Sequence, residues 1–414
     1  MHKKWMKSSA RYAILHASLC SQPAVLVAMR KPWSHIQPTL FPWMHEELDP
    51  VTEKLEHLIH ILDDLDIEAV VRTPVRGPGA PLQDRSAIAR AFVAKAVLNV
   101  PTTTALRERL QIDRSLLRIC GWERRTDVPS ESTFSRAFAE FAQDGAAERL
   151  HEALVTRRLG DRIVGHVSRD ATEIEARERP AKKEPEEQDG DTPAPAPKRR
   201  RGRPRKGEEP PPKPPTRLER QRTQTVPEML ADLPTACDVG TKRNSKGFKE
   251  TWIGYKLHID TADGMVPVSA VLTSASVHDS QAAIPLARLT AKRITHLYEI
   301  MDAAYDAKVI VDDCQDAGRV PVIDRNCRGN TAAKAERAAE AERRRRLNLP
   351  DSDAWLYNER SNAERAIGRL KDDFGGRYVR VRGAVKVCCH LTFGLAAMAA
   401  DSLLRLRSHR MQPA

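Results

Sequence analysis

Apolar residues recur at three- and four-residue spacings from Leu48 to about Ala146, beginning with Val51, Leu55, Leu58, Ile59, Leu62 and Leu65. That period belongs to an α-helix with one buried stripe, so the stretch reads as all-helical. Ser86 is a candidate N-cap ahead of Ile88, Ala91, Phe92 and Ala96, and Pro101 with Thr102 to Thr104 restarts the chain toward Leu106 and Leu110. Further on, Ser130 or Ser132 can cap a helix that presents Arg136 beside Phe134, Phe138 and Phe141. Such a helix either reads DNA through Arg136, as in a helix-turn-helix, or is one more member of a plain bundle whose Phe residues form core.

The pattern then changes to that of strands. Ile163, Val164 and Val167 lead into Asp170. Two more strand-like runs, Trp252 to Ile259 and Met265 to Leu272, are joined by Thr261-Ala-Asp-Gly264, a hairpin signal. Ile294 to Met301 is a further strand that runs into Asp302. Helical patterns follow, so the second part of the chain reads as a mixed α/β sheet with helices on its faces.

Between the first strand and the hairpin lies a Pro-rich stretch from Pro180 to Thr216, acidic first and basic afterwards. Its composition buries too little apolar surface to fold, so an insert is placed at 176–225, interrupting one domain instead of separating two. Within it, Lys198-Arg-Arg-Arg-Gly-Arg-Pro-Arg-Lys206 resembles an AT-hook, with Arg201, Arg203 and Arg205 as candidate minor-groove contacts. A generic basic tether explains the same residues. The expected organisation is a poorly structured segment at 1–47, a helical DNA-binding domain at 48–155, a catalytic domain at 160–407 and a tail at 408–414.

Charge sharpens this picture. The chain has 68 Lys and Arg against 56 Asp and Glu, a net +12 that favours a polyanionic partner. Seven cysteines with no CxxC pair point to a reducing cytosol and no zinc site. Arg11, His16 and Gln22 interrupt the apolar stretch near the N-terminus, which argues against a secretion signal; Met29 and Met44 are candidate natural starts. The apolar run from Val387 to Leu406 carries His390, Asp401 and Arg405, so it reads as a buried helix and no membrane span is expected.

Candidate chemistry concentrates in Tyr357 to Lys371. At about 100° per residue, Tyr357, Arg360, Glu364 and Lys371 fall within an arc of about 60° on one helix face. Leu356, Ala363, Ile367, Leu370 and Phe374 form an adjoining apolar stripe. An i, i+4 ion pair explains Arg360 with Glu364, but not Tyr357 and Lys371 on the same face. Asp170 and Asp302 each follow apolar strand residues, where side chains converge at the rim of a sheet. Three carboxylates without His or Cys suit two Mg²⁺ ions, roughly 3.5 to 4 Å apart, that act on a phosphodiester.

The Tyr-x2-Arg-x3-Glu-x6-Lys pattern of Tyr357, Arg360, Glu364 and Lys371 resembles that of DDE transposases from bacterial insertion sequences. The resemblance extends to Asp170-Ala-Thr172, Gly254-Tyr-Lys-Leu-His258, Val277-His-Asp-Ser280 and Asp302-Ala-Ala-Tyr-Asp306. It implies an RNase H-like catalytic domain in which Asp170, Asp302 and Glu364 hold two Mg²⁺ (or Mn²⁺) ions, with Asp279 as the rival of Asp302. It also implies phosphate contacts from Arg360 and Lys371 and a DNA contact from Tyr357. The partners implied are double-stranded DNA, both terminal inverted repeats and target, and a second copy in a homodimeric synapse, in the bacterial cytoplasm at the nucleoid. A metal-dependent nuclease without strand transfer and a non-catalytic DNA-binding protein are the competing readings.

Overall fold

In the computed structural model, residues 51–74, 82–180, 214–243, 247–324, 331–346 and 357–411 are described. Among them, seven helices precede the first strand: α1 (Glu53–Leu65), α2 (Ile67–Val70), α3 (Arg85–Val97), α4 (Thr103–Ile112), α5 (Arg114–Cys120), α6 (Glu131–Asp144) and α7 (Ala146–Leu159). The periodic stripe of α1 is buried at Leu55, Leu58, Ile61, Leu62 and Leu65, and Asp66 closes the helix in the left-handed conformation at φ 52°. Helix α3 is buried on nearly every side and forms the centre of the bundle. Its cap is Asp84, not Ser86: the Asp84 carboxylate accepts the Ser86 and Ala87 amides, while the Ser86 hydroxyl donates to the Val71 carbonyl. Ser130 caps α6 as predicted, and Phe134, Phe138 and Phe141 turn inward, leaving Arg136 exposed.

The chain continues as β1 (Ile163–Glu175), α8 (Arg217–Gln221), α9 (Val226–Asp232), β2 (Asp238–Arg243), β3 (Lys249–Ala262), β4 (Val266–Ser274), α10 (Ala283–Arg293), β5 (Thr295–Met301), α11 (Lys308–Asp316), β6 (Val320–Ile323), α12 (Thr331–Arg346), α13 (Ser361–Asp372) and α14 (Ala384–Met411). Helix α8 lies inside the range predicted as insert. Thr216 and Glu219 form its capping box, so the folded chain has already resumed before residue 225. At the other end of that range, Glu178 accepts from the Tyr255 hydroxyl (2.5 Å) and the Gly383 amide (3.1 Å). The predicted segment 1–47 and the AT-hook residues Arg201, Arg203 and Arg205 lie outside the described residues.

The six strands form one mixed sheet in the order β2-β3-β1-β5-β6, with β4 also paired to β3. Strand β3 runs antiparallel to both β1 and β4, and β5 and β6 continue parallel to β1. The predicted hairpin is β3–β4, turned through Gly264 at φ 72°, where an added Cβ would meet Leu406 at 2.7 Å.

One continuous core runs from α1 through the sheet to α14. Phe92 of α3 stacks on Phe393 of α14 at 5.8 Å and meets Phe134 edge-on at 5.9 Å. Helix α14 is long and apolar enough to cross a membrane, yet 83% of that window is buried between the bundle and the sheet. It is the buried helix expected from Val387 to Leu406.

Candidate active site

Asp170 sits in the interior of β1, not at its end as the sequence pattern suggests. The strand continues to Glu175 because β3 pairs with it that far, Glu175 opposite Gly254. Its pairing with β5 ends earlier, at Ser168 opposite Ile300. Two residues beyond that last pair stand Asp170 on one strand and Asp302 on the other, so the parallel register itself sets the two acids side by side. Asp302 closes β5 and caps a turn of 3-10 helix, accepting the Ala304 amide at 3.0 Å. Asp170 accepts the Ala171 amide at 2.8 Å.

The third acid arrives on α13. The predicted helix from Tyr357 to Lys371 is broken, since Glu359 and Arg360 form a turn and regular helix starts at Ser361. Bonds from the Arg360 amide to the Tyr357 carbonyl and from the Ala363 amide to the Arg360 carbonyl carry the chain across the break. The start of α13 is pinned to β1, where the Ser168 hydroxyl donates to the Glu359 carbonyl at 3.0 Å and Asn362 donates to the Glu359 carboxylate at 2.7 Å. Despite the break, three members of the predicted face stay together. The Arg360 guanidinium lies 5.8 Å from the centre of the Tyr357 ring and is ion-paired with Glu364 at 2.5 Å. Lys371 turns aside to Glu173 at 2.9 Å, and Lys242 reaches the same carboxylate at 3.0 Å. Against the opposing effect of burial, these two ammoniums hold Glu173 down at about 2.

The acids feel one another. Burial first, then the charges of Asp302 and Glu364, push Asp170 up to about 6, although the Ala171 amide and Arg360 oppose the shift. Asp302 is also raised, by burial and by Asp279, against Arg360 and His278. The Tyr305 hydroxyl is buried near Asp279, Asp170 and Asp302 and has no hydrogen-bond partner among the described residues. Asp279 is neutralised by Lys256 at 2.8 Å.

Among the described residues, no three His, Cys, Asp or Glu side chains stand close enough to hold one metal ion, and Arg360 occupies Glu364. The donors themselves fit a hard divalent cation. They are oxygen ligands whose mutual repulsion such a charge would relieve, and two of them have raised proton affinity for want of it.

Sequence reasoning missed the layer behind the acids. Arg169, next to Asp170, is fully buried and pairs with both oxygens of Asp260 (2.7 and 2.8 Å) and with Glu299 at 3.1 Å. Asp260 also accepts from Thr290 of α10 at 2.6 Å, and Glu299 is ion-paired with Arg319 at 2.6 Å and bonded to His296 at 3.1 Å. This network ties β1, β3 and β5 together behind the place where Asp170 and Asp302 meet. A signal was present, because charges inside apolar strand runs must be paired when buried.

An acid-bearing mixed sheet with a third carboxylate brought in on a helix defines the class of polynucleotidyl transferases and nucleases. Residues 216–399 match the model of the transposase DDE domain, and residues 44–140 match that of a second transposase domain of uncharacterised role. The chain belongs to the DDE transposases of insertion sequences, with an RNase H-like catalytic fold. The first of these ranges contains Asp302 and Glu364, whereas Asp170 lies between the two. No curated protein and no solved structure matches the chain.

Proposed function

We propose that this transposase binds the ends of its element, cuts a DNA strand there and joins the freed end to target DNA, using divalent ions held by Asp170, Asp302 and Glu364. The observation that carries the reading is the β1–β5 register together with α13, which sets Asp302 and Glu364 near enough to Asp170 at one rim of the sheet to raise its proton affinity. When bound, two ions of Mg²⁺ or Mn²⁺ supply nucleophile activation and leaving-group stabilisation. Asp170 and Asp302 are the fixed ligands, each oriented by a backbone amide. Glu364 joins them when Arg360 lets go, and the released guanidinium then has a phosphate to bind in a forked pair of hydrogen bonds. Tyr357, beneath that guanidinium, packs against the DNA, and Lys371 holds a phosphate from its place beside Glu173. Asp279 is the weaker candidate for the second acid because Lys256 already neutralises it.

Arg136 is exposed on α6 and is proposed as a contact of the helical region with the element end. Synapsis of two ends calls for a homodimer acting at the nucleoid in the bacterial cytoplasm. The test is Glu364→Gln. It is expected to abolish Mg²⁺-dependent cutting of a duplex carrying the element end while leaving binding to that duplex within about twofold of wild type. Cutting retained by Glu364→Gln would overturn the assignment, and cutting by wild type without joined products would reduce the chain to a nuclease.

A further inference from the structure

Beyond Gly254 the sheet narrows to a two-stranded ribbon. Strand β1 ends opposite Gly254, with one more bond from the Ala176 amide to the Ile253 carbonyl, and β4 ends opposite Tyr255, so residues 249–252 of β3 pair with β2 alone. Gly254 marks the departure, since its φ is 153° and an added Cβ would meet the Ile174 carbonyl at 2.1 Å. Ribbon pairing is regular: Val239 opposite Ile253, Gly240 opposite Trp252, Thr241 opposite Thr251, Lys242 opposite Glu250 and Arg243 opposite Lys249.

Parity fixes which way the ribbon faces. Asp170 pairs with Ile259, and directly paired residues project from the same side of a sheet. Alternation along β3 then places Leu257, Tyr255, Ile253, Thr251 and Lys249 on Asp170's side, which is the side that α13 covers. The opposite side of the ribbon is used internally, by Trp252 over Gly240 and by Lys242, which pairs with the Glu173 that also holds Lys371. The side shared with Asp170 is open. Val239 and Ile253 are 44% and 45% exposed, and Thr241, Thr251 and Lys249 are exposed as well.

Register also gives the reach. From Asp170 to the ribbon's base is five residues, about 16 Å, and from the base to Lys249 another five, so the ribbon tip stands on the order of 33 Å from the acid along the strand direction. That is close to one turn of duplex, about 34 Å. A two-stranded ribbon also fits a major groove about 12 Å wide.

We infer that the β2–β3 ribbon is a DNA-tracking arm: its open side, carrying Thr241, Thr251, Ile253 and Lys249, lies against the duplex within one helical turn of the phosphate cut at Asp170. The partner is duplex DNA and not a second copy of the chain, because the open side carries the cationic Lys249 at its far end and continues the acid-bearing side of the sheet. Thr hydroxyls and Lys249 contact phosphates, while Val239 and Ile253 pack on sugars. The inference rests on the DNA-cutting role proposed for the three acids.

The experiment places the photo-cross-linker p-benzoylphenylalanine at position 251 of the full chain, on the open side of β3, and uses a duplex of about 40 base pairs carrying the element end. Cross-links are expected on the DNA, roughly 5 to 10 base pairs from the cut. In parallel, Lys249→Glu is expected to weaken binding about three- to tenfold and to make its salt dependence shallower by about one in the log–log slope. Because Lys249 is exposed, its replacement should leave the melting temperature unchanged, and cutting at saturating protein should persist. Cross-links to a second copy in place of DNA, or a Lys249→Glu protein with unchanged affinity and salt slope, would overturn the arm. Wild-type protein that neither binds nor cuts the duplex would instead overturn the transposase reading itself.

Discussion

Asp170 carries an electrostatic cost in the metal-free chain. Its carboxyl stands at about 6 in the fold, chiefly through burial, against an ordinary value of about 4. The folded chain therefore keeps a proton that the unfolded chain has lost, and the stability linked to that proton is present below about pH 4 and lost as pH rises through about 6. Asp170→Asn removes the cost. At pH 7.5 without metal, the variant is expected to be more stable than wild type by about 2 kcal/mol, and the gain should fade as pH is lowered toward 4. Urea unfolding at both pH values measures this, and a variant no more stable at pH 7.5 would contradict it. Metal-dependent cutting by wild type should rise through the same window, because only the ionised carboxylate is a ligand.

At the scale of elements, the sheet's geometry depends on the buried pairs around Arg169. Backbone pairing between β1 and β5 stops at Ser168, and just past it the bonds from Arg169 to Glu299 and Asp260 hold the strands together. Arg169→Met leaves two buried carboxylates without their main cation. It is expected to cost about 3 to 5 kcal/mol in chemical denaturation, whereas Lys256→Met, at a partly exposed pair, should cost about 1 kcal/mol or less. Much of the element order was legible in the sequence. Alternation marked β1 and β5, Asp263-Gly264 marked the hairpin, and Ser130 marked the start of α6. The break at Glu359–Arg360 was not, because helical periodicity runs unbroken across it and its cause, the hold of Ser168 and Asn362 on Glu359, comes from elsewhere in the fold. The same holds for Asp84 as the cap of α3, since Asp84 and Ser86 both have capping chemistry and only the Val71 carbonyl decides where the Ser86 hydroxyl goes. Of the site, residue types and spacing gave Glu364, Arg360 and Tyr357 as neighbours, but the long range of Lys371's partner, Glu173, left that contact unreadable.

At the scale of the whole molecule, the bundle and the sheet are not independent units. Phe92, Phe141 and Phe393 bring α3, α6 and α14 into one aromatic cluster, and α14 goes on to pack under β4. Phe393→Ala is expected to cost about 3 to 5 kcal/mol. Its unfolding should remain a single transition, followed equally by a probe in the bundle and one in the sheet. Two separated transitions would show that the shared core does not couple them.

A core completed by α14 also sets a timetable for the newborn protein. The bundle helices leave the ribosome by residue 159, but the helix that packs on α3 and closes their core begins at Ala384. At roughly 5 to 20 residues per second, that is on the order of ten to fifty seconds of waiting. During that interval Phe92 and Phe141 have no Phe393 to meet, and the strand bearing Asp170 gains β5 only after residue 301 and α13 only after residue 372. A nascent chain thus cannot assemble its three acids until Glu364 has been made, and translation time becomes part of what limits the supply of active enzyme.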